Sequence, residues 1–147
     1  MKICNGADIT ELEDNIRCAM SILDSIPDTY ITIRRHVLEY GVKNPEYIIN
    51  GLIADRKGIM SEDGIAAAFN KALKQNCRAI VLDLDKRMSH RPLQTKKIAR
   101  KIVYRTDFNP EQISCCYVVY RRKSVRISVK EKDLCTIESI LDTIKAG

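Results

Sequence analysis

Asp55, Arg56 and Lys57 stand in a row at the end of an apolar run, Leu52-Ile53-Ala54, that follows the dipeptide Asn50-Gly51. If this run is a β-strand its side chains alternate, so Leu52, Ala54 and Arg56 share one face and Ile53, Asp55 and Lys57 the other. A carboxylate and a lysine facing the same way suit one kind of chemistry. The acid holds a divalent cation, and the lysine orients or deprotonates an attacking water and steadies the charge growing on a phosphate. A metal site of this type needs a second acid. Glu46, which follows Pro45 where the partner strand would begin, is the natural candidate, because Mg²⁺ takes one or two protein carboxylates and keeps several waters. Glu46 and Asp55 are therefore candidate metal ligands, and Glu46, Asp55 and Lys57 candidate catalytic residues. The plainer alternative is a solvent-facing cross-strand pair.

These residues need elements to hold them. Asn-Gly supplies the positive φ angles of a two-residue turn, so "EYIIN" and "LIADRK" are predicted to form a β-hairpin. "SEDGIAAAFNKALKQN" is predicted to be a helix capped by Ser61, with Ile65, Ala68, Phe69 and Ala72 on one face and Lys71 and Gln75 together on another. "RAIVLDL" is the near-continuous apolar run of a strand covered on both faces. Upstream, Ile9, Leu12, Ile16, Met20 and Leu23 have helical spacing, and "TYITIRRHVLEYG", with Gly41 as C-cap, is predicted to be a short helix. Downstream, "KRMSHRP" is predicted as a basic loop and "LQTKKIARKIVYR" as an amphipathic helix. "ISCCYVVYR" and "SVRISVK" are predicted as strands joined by a turn at Arg122-Lys123, and "KDLCTIESILDTIK" as a closing helix.

The expected order is α-α-β-β-α-β-α-β-β-α. This is an α/β (α+β) fold: one compact domain with a mixed sheet of about five strands flanked by helices. Residues 1–43 would form a helical N-terminal segment, 44–130 the core and 131–147 the C-terminal helix. A chain of 147 residues is the size of one domain.

Six cysteines occur without a signal peptide or a C-x-x-C pair, so they are read as reduced, with Cys77, Cys115 and Cys116 as core packing. Two distant histidines make a zinc cluster or a Cys-His dyad a poor fit. No apolar stretch approaches 18 residues, so no membrane partner and a cytoplasmic location are expected.

The net charge of +6 is unevenly spread: −4 over residues 1–30, +1 over 31–85, +11 over 86–132 and −2 over 133–147. Such asymmetry is the mark of a polyanion-binding face, with a solvated face as the bland alternative. Arg56, Arg91, Arg100, Arg121, Arg122 and Lys123 are the candidate nucleic-acid contacts. Tyr104, Tyr117 and Tyr120 interleave with arginines, and Tyr120 is the best placed of them to stack on a base.

Pro45-Glu46, eight residues ahead of Asp55-Arg56-Lys57, resembles the PD-(D/E)xK pattern of restriction-endonuclease-like nucleases, with Glu46 in place of the usual aspartate. The "ADRK", "KALKQ" and "VLDLD" segments within residues 45–85 resemble the C-terminal toxin domain of bacterial contact-dependent growth-inhibition proteins and their free-standing relatives on mobile elements. That resemblance implies a nuclease-like fold and an RNase acting on tRNA or other structured RNA, with RNA ahead of DNA as substrate. Lys71 and Gln75 join the catalytic set, because nucleases of the PD-(D/E)xK kind often place a polar or basic helix residue beside the acids. The cofactor would then be Mg²⁺. Many toxins of this group instead resemble barnase and RelE, which need no metal; such a site would draw on Lys57, Lys71, His90 and arginines. An acidic immunity or inhibitor protein is a further partner consistent with the resemblance. The alternative from another class is a non-catalytic module that binds nucleic acid or protein on a nuclease-like fold. Being an immunity-type inhibitor itself is disfavoured by a pI of 9.0.

Overall fold

The computed structural model describes residues 1–7, 9–36 and 44–145, without the side chains of Ile9, Lys86 and Arg87. The chain runs β1 (Lys2–Ile3), α1 (Ile9–Ser25), β2 (Ile31–Ile33), β3 (Tyr47–Ile49), β4 (Leu52–Gly58), α2 (Ile65–Lys74), β5 (Ala79–Asp83), α3 (Asp85–Met88), α4 (Thr95–Val103), β6 (Cys115–Tyr120), β7 (Lys123–Ser128) and α5 (Leu134–Lys145). The strands form one mixed sheet in sequence order. β1 pairs with β2 in parallel, and β2, β3 and β4 make an antiparallel meander. β4, β5 and β6 run parallel with level ends, Gly58 opposite Asp83 and Asp83 opposite Val119, and β7 returns antiparallel.

β5 sits at the centre because all five of its residues are buried, and a strand without a polar side must be covered on both faces. α1 covers one face, with Cys18, Ala19 and Ile22 against Ile31, Ile33, Tyr47, Ala54, Val81 and Val119. α2, α4 and α5 cover the other, with Phe69, Ile98, Ile102 and Leu141 against Ile80, Leu82 and Val118. The mixed α/β class agrees with expectation, and the predicted hairpin forms with Ile49 paired to Leu52 across the turn. Asn50 and Gly51 adopt φ of 47° and 83°, the left-handed pair such a turn demands.

Among the described residues the sheet has seven strands where about five were expected. The segment expected to be a second helix is a strand at Ile31–Ile33, because Ile31 and Ile33 alternate with the half-exposed Thr32 and bury against α1. The expected C-cap Gly41 lies outside the described residues. With β1 beside it, the N-terminal segment belongs to the sheet and is not purely helical. Ser61 makes no side-chain cap; a short 3-10 turn at Glu62–Gly64 leads into α2 instead. The β6–β7 turn is Arg121-Arg122, one residue earlier than expected, and both arginines have positive φ, 49° and 63°. Residues other than Gly, Asn and Asp adopt that conformation at a cost of about 1–2 kcal/mol each, so this turn is strained where Asn50-Gly51, the pair that favours it, is not.

Candidate functional site

The register of β3 with β4, Tyr47 opposite Ala54, places Glu46 opposite Asp55. Backbone N–H groups hold both carboxylates: Glu46 N–H donates to Asp55 Oδ1 at 3.3 Å and Arg56 N–H donates to Glu46 Oε2 at 3.2 Å. Lys57 Nζ lies 2.6 Å from Asp55 Oδ2, so the acid and the lysine do project to one side of β4. Opposite them α2 presents Lys71 and Gln75. Glu46, Asp55, Lys57, Lys71 and Gln75 thus line one open cleft of about 410 Å³, together with Glu11 from α1.

Asp55 is only 2% exposed, and burial raises its carboxyl above the ordinary 3.8 even though Lys57 pulls the other way. A cation in the cleft would act as Lys57 does, against burial and in favour of the charged form. The side-chain oxygen of Gln75 is buried without a hydrogen-bond partner. Two carboxylates and an orphaned amide oxygen are hard donors of the kind Mg²⁺ takes, so the residues present fit that cation. Among the described residues no group of three or more His, Cys, Asp and Glu is placed to hold a metal, so any ion here would keep waters. Cys77 adds no reactivity: burial first, and the Asp55 charge second, push its thiol up to about 12.

Arg56 points to the other face and is occupied there. Its guanidinium donates to Glu11 at 2.6 Å, Asn15 at 2.9 Å and Asp83 at 3.1 Å. Asp83, fully buried, also accepts from Arg17 at 2.6 Å, and Arg17 reaches Asp85 and Asp14. Arg56 also lines the cleft, but its guanidinium is engaged by these partners, so its charge ties α1 to β4 and β5. Glu11, Arg17 and Asp83 were not singled out in the sequence. Only the helical period of α1 and the alternation of β5 would have put them near Arg56, and neither pattern predicts an ion pair.

Arg91, Arg121, Arg122 and Lys123 are exposed, and Arg100 lies on the exposed face of α4. Tyr120 is not available for stacking: it is fully buried and its hydroxyl donates to the carbonyl of Arg91. Tyr117 is buried too. His90 is exposed and does not line the cleft. His36, expected on a helix face, follows β2 and lines a small adjoining cavity of about 80 Å³ with Arg34 and Arg35. No helix among the described residues is long and apolar enough to cross a membrane. Compared with family models, curated proteins and solved structures, the chain matches none.

Proposed function

We propose that this chain is a nuclease that cleaves phosphodiester bonds with the help of a divalent cation, and that RNA is its first substrate. The observation that carries this reading is the single cleft in which Glu46 and Asp55 lie as cross-strand neighbours, Lys57 touches Asp55, and the amide oxygen of Gln75 stands unpaired. Glu46, Asp55 and Gln75 would hold the cation, which supplies Lewis acidity to the phosphate and a bound water as nucleophile.

The chain's own groups do the rest. Burial favours the neutral Asp55 carboxyl while Lys57, 2.6 Å away, favours its anion, the form that would hold a cation. Lys57, at the cleft beside Asp55, would offer its ammonium to the phosphate oxygens and compensate the charge that grows there. Lys71, exposed on α2, gives a second cation at the mouth of the cleft. The preference for RNA and a toxin-like role rest on the resemblance of residues 45–85. An acidic inhibitor would fit the basic surface of residues 86–132.

The test is incubation with total RNA and with plasmid DNA, each with Mg²⁺ and with EDTA. Cleavage with Mg²⁺ that EDTA stops is the expected result. Cleavage that survives EDTA would move the site to the metal-free type. Binding without cleavage under any metal would leave a non-catalytic module.

A further inference from the structure

The carboxyl ends of β4, β5 and β6 are level, and the three loops that leave them are stitched together. Arg91 of the loop after β5 donates to the carbonyl of Met60 after β4, at 3.3 Å. Tyr120, at the end of β6, donates to the carbonyl of Arg91, and Arg121 donates to that of Ser89 at 2.7 Å. The result is a continuous edge from Gly58, at the rim of the cleft, to the Arg121-Arg122 turn. It exposes His90, Arg91, Arg121, Arg122 and Lys123. No acidic residue occurs within 86–92 or 121–123.

Two features say what such an edge would hold. Its turn keeps two arginines in left-handed backbone, where Asn-Gly would close the hairpin without strain, as it does between β3 and β4; backbone strain of this sort gathers where a side chain is needed. Among the described residues the edge offers no Tyr, Phe or Trp ring for a base to stack on; its one exposed ring is the imidazole of His90. Tyr120 is buried beneath it, with the Arg121 guanidinium over its ring at 5.0 Å. The exposed rings Tyr30 and Tyr104 lie toward the other end of the sheet, Tyr30 beside the Asn50 turn and Tyr104 after the last residue of α4. Single strands are held by stacking, whereas a double helix is held through its phosphates.

We propose that this edge seats the backbone of a base-paired nucleic acid flanking the bond in the cleft. The inference rests on the nuclease reading and narrows its substrate to duplex regions. From β4 to β6 is two strand spacings, about 10 Å. The arginine turn would therefore reach phosphates roughly three nucleotide steps from the cleft.

The test uses the Asp55→Asn protein, so that bound nucleic acid stays whole, with or without R121N/R122G. That double substitution keeps the turn, in relaxed form, and removes both charges. Anisotropy is read with a 20-base-pair RNA duplex, the matching DNA duplex and the single strands. The expected result is that a duplex binds more tightly than its strands, and the tighter duplex names the polymer. R121N/R122G, folded by its melting curve, should lose roughly 10-fold in duplex affinity, with a salt slope shallower by about 2. Duplex affinity unchanged by R121N/R122G, or single strands bound as tightly as duplexes, would overturn the inference. Turn-dependent duplex binding by a wild-type protein that cuts nothing would sink the nuclease reading and keep only the edge as a duplex-binding surface.

Discussion

The two faces of β4 carry charged residues in opposite circumstances. On the α1 side, Arg56 borders the cleft but its guanidinium is paired: it meets Glu11, Asn15 and Asp83, and Asp83 is shared with Arg17. On the α2 side, Asp55 and Lys57 meet each other and an open cleft, beside an amide oxygen with no partner. Adjacent residues in one strand thus serve different ends. Charge that is fully paired fixes geometry, and charge left open at the end of that fixed geometry is free to act on a ligand.

The largest way to break this contrast is on the closed side. Asp83→Ala leaves the Arg17 and Arg56 guanidiniums without their shared anion, and removing one partner of a buried pair costs about 3–5 kcal/mol. Urea denaturation should show a loss of that size, and a loss below about 1 kcal/mol would mean the network is idle. On the open side, Asp55→Asn should reduce cleavage by ~10²–10³-fold while the protein stays folded. Glu46→Gln should be as damaging if the two acids share a metal, and mild if they do not; rates under Mg²⁺ decide.

The pH dependence sharpens the same point. Because burial raises the Asp55 carboxyl, folding favours its protonated form. Its contribution to stability is therefore present below the ordinary value of 3.8 and is lost as pH rises through the higher folded value. Cleavage should rise with pH over that same window as the anion forms. Asp55→Asn should remove that decline, and melting temperatures at pH 7 should then equal or exceed those of the unaltered protein. The smallest effect is expected at Gln75→Met, which removes an unsatisfied buried oxygen: stability unchanged or raised, cleavage reduced several-fold.

The face assignment of Asp55, Lys57 and Arg56 was readable because a strand's period of two and an Asn-Gly turn leave little freedom. β5 was readable from its unbroken apolar run. β2 was not, since Ile33 and Val37 have helical i, i+4 spacing and the alternation of Ile31 and Ile33 is too short to outweigh it until a partner strand is known. The pairing of Arg56 with Asp83 was hidden for a related reason: it depends on the register of β4 with β5 and on where α1 lies, both long-range facts. Tyr120 misled because its neighbouring arginines read as a surface, whereas the ring itself packs inward beneath Arg121.

The central claim is that Lys57 works on a ligand while Arg56 works on the fold, and the initial rate of RNA cleavage by Lys57→Met under Mg²⁺ tests it most directly. Asp55 can take a proton when its lysine is gone, so the protein should remain folded. The account predicts a rate at least ~100-fold below the unaltered protein. A folded Lys57→Met protein that cleaves within about twofold of the unaltered rate would contradict it, and would make the Asp55–Lys57 contact an ordinary ion pair.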